Sequence, residues 1–108
     1  MKRGEIWVAA GGGYASKARP SLIIQDDWFD GTESVTVCLM TSTDSPAPLG
    51  RVPVPADGLS GLDLPSWVMV DKIMTVRRSK MFRLVGRLTA RQLVDVERLV
   101  LVFLGMAR

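Results

Sequence analysis

Ser34-Val35-Thr36-Val37-Cys38-Leu39-Met40 decides the fold class. Its side chains fall into two alternating sets, Val35, Val37 and Leu39 on one side and Thr36, Cys38 and Met40 on the other. That period of two is the mark of a β-strand. Upstream, Pro20 to Gln25 carries Leu22, Ile23 and Ile24 in an unbroken apolar run that suits a strand buried on both faces. Asp30-Gly31 lies between these two segments as a turn signal. Gly4 to Ala9, with Ile6, Trp7 and Val8, reads as a first strand. Arg51 to Pro55 reads as an edge strand, because Pro53 and Pro55 cannot donate to a central ladder. Trp67 to Val76 and Phe82 to Leu88 complete the set. In the last, alternation predicts Phe82, Leu84 and Leu88 on one face and Arg83, Val85 and Arg87 on the other.

One helix is signalled. Thr89 and Gln92 form a capping box, each able to satisfy a free backbone donor of the other. Leu93, Val96, Val100 and Phe103 then recur at helical spacing, and Gly105 is a natural stop. Leu99 to Leu104 is apolar all round and needs cover on more than one side; a second subunit is one such cover. Short strands followed by one terminal helix predict a mainly β (α+β) domain over residues 1–108, a small, strongly bent antiparallel sheet or barrel.

Composition narrows the chemistry. With 108 residues, 47% of them hydrophobic, the chain reads as one folded domain. Its longest apolar run is far short of the roughly twenty residues a membrane-spanning helix needs. A single cysteine, Cys38, excludes an intramolecular disulfide and fits a reducing cytoplasm. The strand position makes it a small buried hydrophobe. There is no histidine, which removes the Ser-His-Asp and Cys-His nucleophile systems and the HExxH metal motif. No metal and no cofactor is expected.

Charge is segregated. Residues 26 to 71 hold the acids Asp26, Asp27, Asp30, Glu33, Asp44, Asp57, Asp63 and Asp71 and a lone base, Arg51. Residues 72 to 91 hold Lys72, Arg77, Arg78, Lys80, Arg83, Arg87 and Arg91 and no acid. Two readings stand: the footprint of a nucleic acid or acidic partner, or a solvated face whose charges pair with the acidic stretch.

Several residues are candidates for a site. Gly11 to Lys17 lacks the spacing and the following helix of a phosphate loop, and reads instead as a flap carrying Tyr14, able to stack on a base, and Lys17. Arg19, at a strand start before Pro20, can hold a phosphate by two parallel hydrogen bonds or pair with an acid. Thr41 ends the alternating strand on the side of Val35, Val37 and Leu39, followed by Ser42 and Thr43. Trp28 and Phe29, in an acidic turn, have two readings, a stacking platform or, as expected here, rings folded back onto the core.

Taken in order, the segments Lys2-Arg3-Gly4-Glu5-Ile6-Trp7, Arg19-Pro20-Ser21-Leu22-Ile23-Ile24-Gln25, Met40-Thr41-Ser42, Val70-Asp71-Lys72-Ile73-Met74-Thr75-Val76 and Val85-Gly86-Arg87-Leu88 resemble the MazF/PemK family of bacterial toxins, which are endoribonucleases. The resemblance implies an SH3-like barrel of the MazF/CcdB kind with a C-terminal helix, a homodimer, and metal-independent cleavage of single-stranded RNA. It implies that Arg19 and Thr41 are the reactive pair and that an antitoxin lays an extended acidic segment in the RNA groove. It places Tyr14, Lys17, Ser42, Asp71, Lys72, Arg77 and Arg78 on the expected RNA surface. Many members carry Ser-Glu-Gln-x-Gly before the Arg-Pro pair, whereas this chain has Gly13 to Ala18 and no carboxylate there; Lys72 likewise stands where Gln is common. Other readings are a CcdB-like toxin that poisons a protein target, without its Trp-Gly-Ile ending, and a non-catalytic SH3-like module binding RNA or an acidic peptide.

Overall fold

A computed structural model describes residues 1–10, 18–44 and 50–107. Six strands form one antiparallel sheet: β1 (Glu5–Ala9), β2 (Arg19–Ile23), β3 (Ser34–Thr41), β4 (Arg51–Val54), β5 (Ser66–Arg77) and β6 (Met81–Arg87). The order across the sheet is β4-β5-β3-β2-β1-β6, and helix α1 (Ala90–Phe103) follows. Each sequence-predicted strand is present, and β4 lies at an edge as Pro53 requires.

The alternation in β3 separates two cores. Cys38 and Met40 join Ile6, Leu22, Val52, Val54, Val68, Val70, Leu88 and Val96 in one cluster, which α1 covers. Val35 and Val37 join Ala9, Ile23 and Met81 in a second cluster on the opposite face. Leu22 and Ile23 thus point into different cores, which is why β2 is an unbroken apolar run. Burial, with the negative charge of Asp71 adding to it, pushes the Cys38 thiol up to about 12, so it remains an uncharged packing group.

The ladder itself stays open between β4 and β6, and a loop bridges the gap. Asp57 accepts from the backbone N–H groups of Leu59 and Ser60 at 3.0 and 2.8 Å, and the Arg87 N–H donates to the Leu59 carbonyl at 3.0 Å. This crossing demands glycine at 86, where a Cβ would meet the Ser60 and Leu59 carbonyl oxygens at 2.3 and 2.4 Å. The barrel is therefore closed by a loop packed on β6, not by strand pairing.

Two expectations are corrected. Register shifts between Ile6 and Trp7 and between Val8 and Ala9 break the alternation of β6. Phe82 and Leu84 consequently face solvent, whereas Leu88 is buried and Val85 packs on the first core. Trp28 and Phe29 do not fold back either: they are 86% and 55% exposed on a short 3-10 helix, Asp27–Phe29. Polar bonds hold that turn outward, with Asp26 capping the Trp28 N–H, Asp27 accepting from the Arg3 N–H, and Gln25 and Arg78 donating to the Phe29 carbonyl.

Candidate active site

Arg19 is the first residue of β2 and Thr41 the last of β3. The β2–β3 ladder pairs Ser21 with Leu39, so two further steps along each strand bring Arg19 opposite Thr41. The two line one open cleft of about 260 Å³, with Ala18 and Pro20 on one side and Met40, Ser42 and Thr43 on the other. Strand alternation sends Arg19 to the face of Ile23 and Thr41 to that of Val37, both members of the second core. The family resemblance implies this pair, and the antiparallel register is what brings together residues 22 positions apart.

The chemistry at the pair is open. Among the described residues the Arg19 guanidinium has no ion-pair partner, and Arg19 lines the cleft. Thr41 Oγ1 accepts from the Thr43 N–H at 3.1 Å, which orients the hydroxyl and leaves its own hydrogen to donate. A fork of guanidinium donors beside a positioned alcohol suits a tetrahedral or pentacoordinate phosphorus centre. No group of three or more His, Cys, Asp or Glu side chains among the described residues is arranged to hold a metal ion.

The other predicted residues are dispersed. Tyr14 and Lys17 lie outside the described residues. Ser42 is exposed and lines the cleft with the pair. Asp71 and Lys72 sit where β5 departs from β3: Cys38 pairs with Ile73 but Met40 with Val68, leaving Met69, Val70, Asp71 and Lys72 against Leu39 alone. There Asp71 accepts from Arg51 Nη1 and lies 3.5 Å from Lys72 Nζ. Burial alone raises the Asp71 carboxyl, but the Arg51 bond, its own backbone N–H and the two cations outweigh that and hold it below its ordinary value. Arg51 went unassigned in the sequence reading; its signal was its position as the lone base in the acidic stretch.

Arg77 and Arg78 occupy the far end of β5, where Arg77 pairs with Ser34 in the ladder. About 23 Å of strand separates that end of β3 from Thr41. Arg77 Nη1 lies 3.4 Å from Glu33, and Arg78 donates to the Thr32 and Phe29 carbonyls. Part of the basic run therefore pairs within the fold. Lys80, Arg83 and Arg87 are exposed and have no ion pair among the described residues.

The chain, with its six-stranded antiparallel sheet and terminal helix, matches one group of proteins. Residues 2–104 fit the model of the PemK-like, MazF-like toxins of type II toxin-antitoxin systems. The chain is 50% identical to the probable endoribonuclease MazF of Mycolicibacterium smegmatis, over 99% of each chain. Its fold is similar to that of the Mycobacterium tuberculosis toxin MazF-mt6, with a TM-score of 0.82 and 28% identity over 96% of this chain and 99% of that one. It is also similar to the Deinococcus radiodurans MazE-MazF crystal structure in its second form, with a TM-score of 0.81 and 25% identity over 99% and 97% of the two chains. The chain belongs to the PemK/MazF toxin family.

Proposed function

We propose that this MazF-type endoribonuclease toxin cuts single-stranded RNA at the Arg19–Thr41 cleft without a metal ion, leaving a 2′,3′-cyclic phosphate and a 5′-hydroxyl. The observation that carries this reading is the meeting, in one open cleft, of an oriented alcohol and a guanidinium with no ion-pair partner among the described residues. The RNA 2′-oxygen attacks the adjacent phosphorus in line, and the bond from phosphorus to the 5′-oxygen breaks. An arginine is a poor general base at neutral pH. Arg19 therefore stabilises the charge that builds on the phosphorane, and Thr41 donates to a phosphate oxygen. Asp71 is committed to Arg51 and lines no part of the cleft, so the 2′ proton passes to a non-bridging phosphate oxygen and on to the departing 5′-oxygen. RNA cleavage by Arg19→Ala tests this; the variant keeps its fold and loses cleavage, and an active one removes Arg19 from the mechanism.

Ser42 extends the phosphate contacts within the cleft, Lys72 contacts RNA beyond it, and Tyr14 and Lys17 contribute further RNA contacts. Arg77 and Arg78 reach only a strand long enough to run the length of β3. The partner is an antitoxin whose acidic segment follows the same basic surface and competes with RNA. The working unit is a homodimer in the cytoplasm. The exposed apolar side chains Leu101, Val102, Phe103 and Leu104, and a cleft of about 330 Å³ lined by Ile24, Val96, Val100 and Leu101 with the Arg3–Glu97 ion pair, support a second copy on α1. No helix among the described residues is long and apolar enough to cross a membrane.

A further inference from the structure

We propose that Trp67 is a base-stacking residue of the RNA site, the platform on which a base next to the scissile phosphate lies; this rests on the reading of the chain as an RNA-cleaving enzyme. Register supplies the first half of the case. The β3–β5 ladder pairs Thr41 with Trp67, and the β4–β5 ladder pairs Trp67 with Pro53. Their neighbours Met40, Val68 and Val52 all point into the first core. Thr41, Trp67 and Pro53 therefore project from the opposite face, the face that carries Arg19. One row crosses four strands, from Arg19 on β2 through Thr41 on β3 to Trp67 on β5 and Pro53 on β4. With strands about 4.8 Å apart, Trp67 stands one strand from Thr41 and about 10 Å from Arg19.

The indole's surroundings supply the second half. Trp67 is half-buried, yet among the described residues it belongs to neither hydrophobic cluster and packs against neither, unlike Trp7, which packs on the second. Its Nε1–H donates to no described residue, whereas that of Trp7 donates to Glu5 at 3.0 Å. A large aromatic that neither core uses is thus held on a rigid central strand beside the reacting pair. Single-stranded RNA is gripped through aromatic rings on which its bases stack, a contact tolerant of base identity. Sequence alone could not find it, because its place in the row depends on two non-local ladders.

The test is steady-state cleavage of a short single-stranded RNA containing the cut site, with abasic residues introduced singly at each position flanking it. Trp67→Ala is expected to raise KM by about 5- to 100-fold with kcat within a few-fold, and Trp67→Phe to restore most of it. In the wild type one abasic position should carry a similar loss, and in Trp67→Ala that same position should carry none. An unchanged KM, or a full abasic loss at every position in the variant, overturns the proposal. Should Trp67→Ala fail to fold, Trp7→Phe/Trp28→Phe leaves Trp67 as the sole tryptophan; RNA made uncleavable by 2′-O-methylation at the cut should then quench its fluorescence. No quenching by the methylated RNA, in a variant that still cleaves the all-ribose RNA, overturns the role of Trp67 alone, whereas a wild-type chain that cleaves no RNA overturns the enzymatic reading as well.

Discussion

Thr41 stands across the sheet from Arg19, at the point where the β2–β3 ladder runs out and the cleft begins. Neither residue belongs to a motif in the usual sense, since they are far apart in the chain and flanked by ordinary strand residues. Antiparallel pairing makes them neighbours, and the Thr43 N–H fixes the hydroxyl of one of them.

Thr41→Val keeps the shape of the side chain and removes the donor. Cleavage should fall by about 10²–10³-fold, the usual cost of removing one preorganised transition-state donor. Thr41→Ser should retain most of the rate. Single-turnover cleavage checks both, and urea unfolding should find the variants as stable as the wild type.

The Arg51–Asp71 pair should set an acid limit to stability. The Asp71 carboxyl lies below its ordinary value in the folded chain, so the pair stabilises above about pH 4 and the benefit is lost as pH falls through the lowered value. Asp71→Asn should cost about 1–3 kcal/mol at pH 7, a hydrogen bond to a charged group in a partly buried setting. Urea unfolding at pH 7 and at pH 3 should show the gap between wild type and variant narrowing at the lower pH; a constant gap would assign the cost to something other than this charge.

Loop closure of the barrel is tested by a methyl group. Gly86→Ala forces a Cβ onto the Ser60 and Leu59 carbonyls, and overpacking of this kind costs about 1–3 kcal/mol. Gly31→Ala, where a Cβ would meet nothing within 4 Å, should stay within about 0.5 kcal/mol of wild type. Comparable urea midpoints for the two would show that the 57–62 loop does not brace β6.

Leu101 is 43% exposed on the apolar half of α1. Leu101→Glu should convert a two-chain species into a one-chain species in sedimentation velocity, with the wild type sedimenting as two chains. A monomeric wild type would contradict the dimer.

Local patterns made much of this legible. The alternation of Val35, Val37 and Leu39 against Thr36, Cys38 and Met40 marks β3, the run Leu22-Ile23-Ile24 marks a strand buried on both faces, and Thr89 with Gln92 marks the start of α1. What escaped depends on distant pairing. Bulges opposite β1 turned Phe82 and Leu84 outward, and no period-two count contains a bulge. The exposure of Trp28 and Phe29 follows from bonds made by Arg3 and Arg78, remote in sequence. Arg51 finds Asp71 across 20 residues because β4 folds back on β5. In the candidate site, Arg19 and Thr41 stand out as strand ends and are paired by the family resemblance, but the row that continues to Trp67 exists only once β3, β4 and β5 are in register.

The chemistry of the cut ends decides most. A single-stranded RNA bearing one 2′-deoxynucleotide at the cleavage position should resist the enzyme, and the all-ribose RNA should yield 2′,3′-cyclic phosphate and 5′-hydroxyl ends by mass spectrometry, with or without EDTA. Cleavage of the deoxy-substituted strand at an undiminished rate, or ends carrying a 5′-phosphate, would contradict attack by the 2′-oxygen at the Arg19–Thr41 cleft.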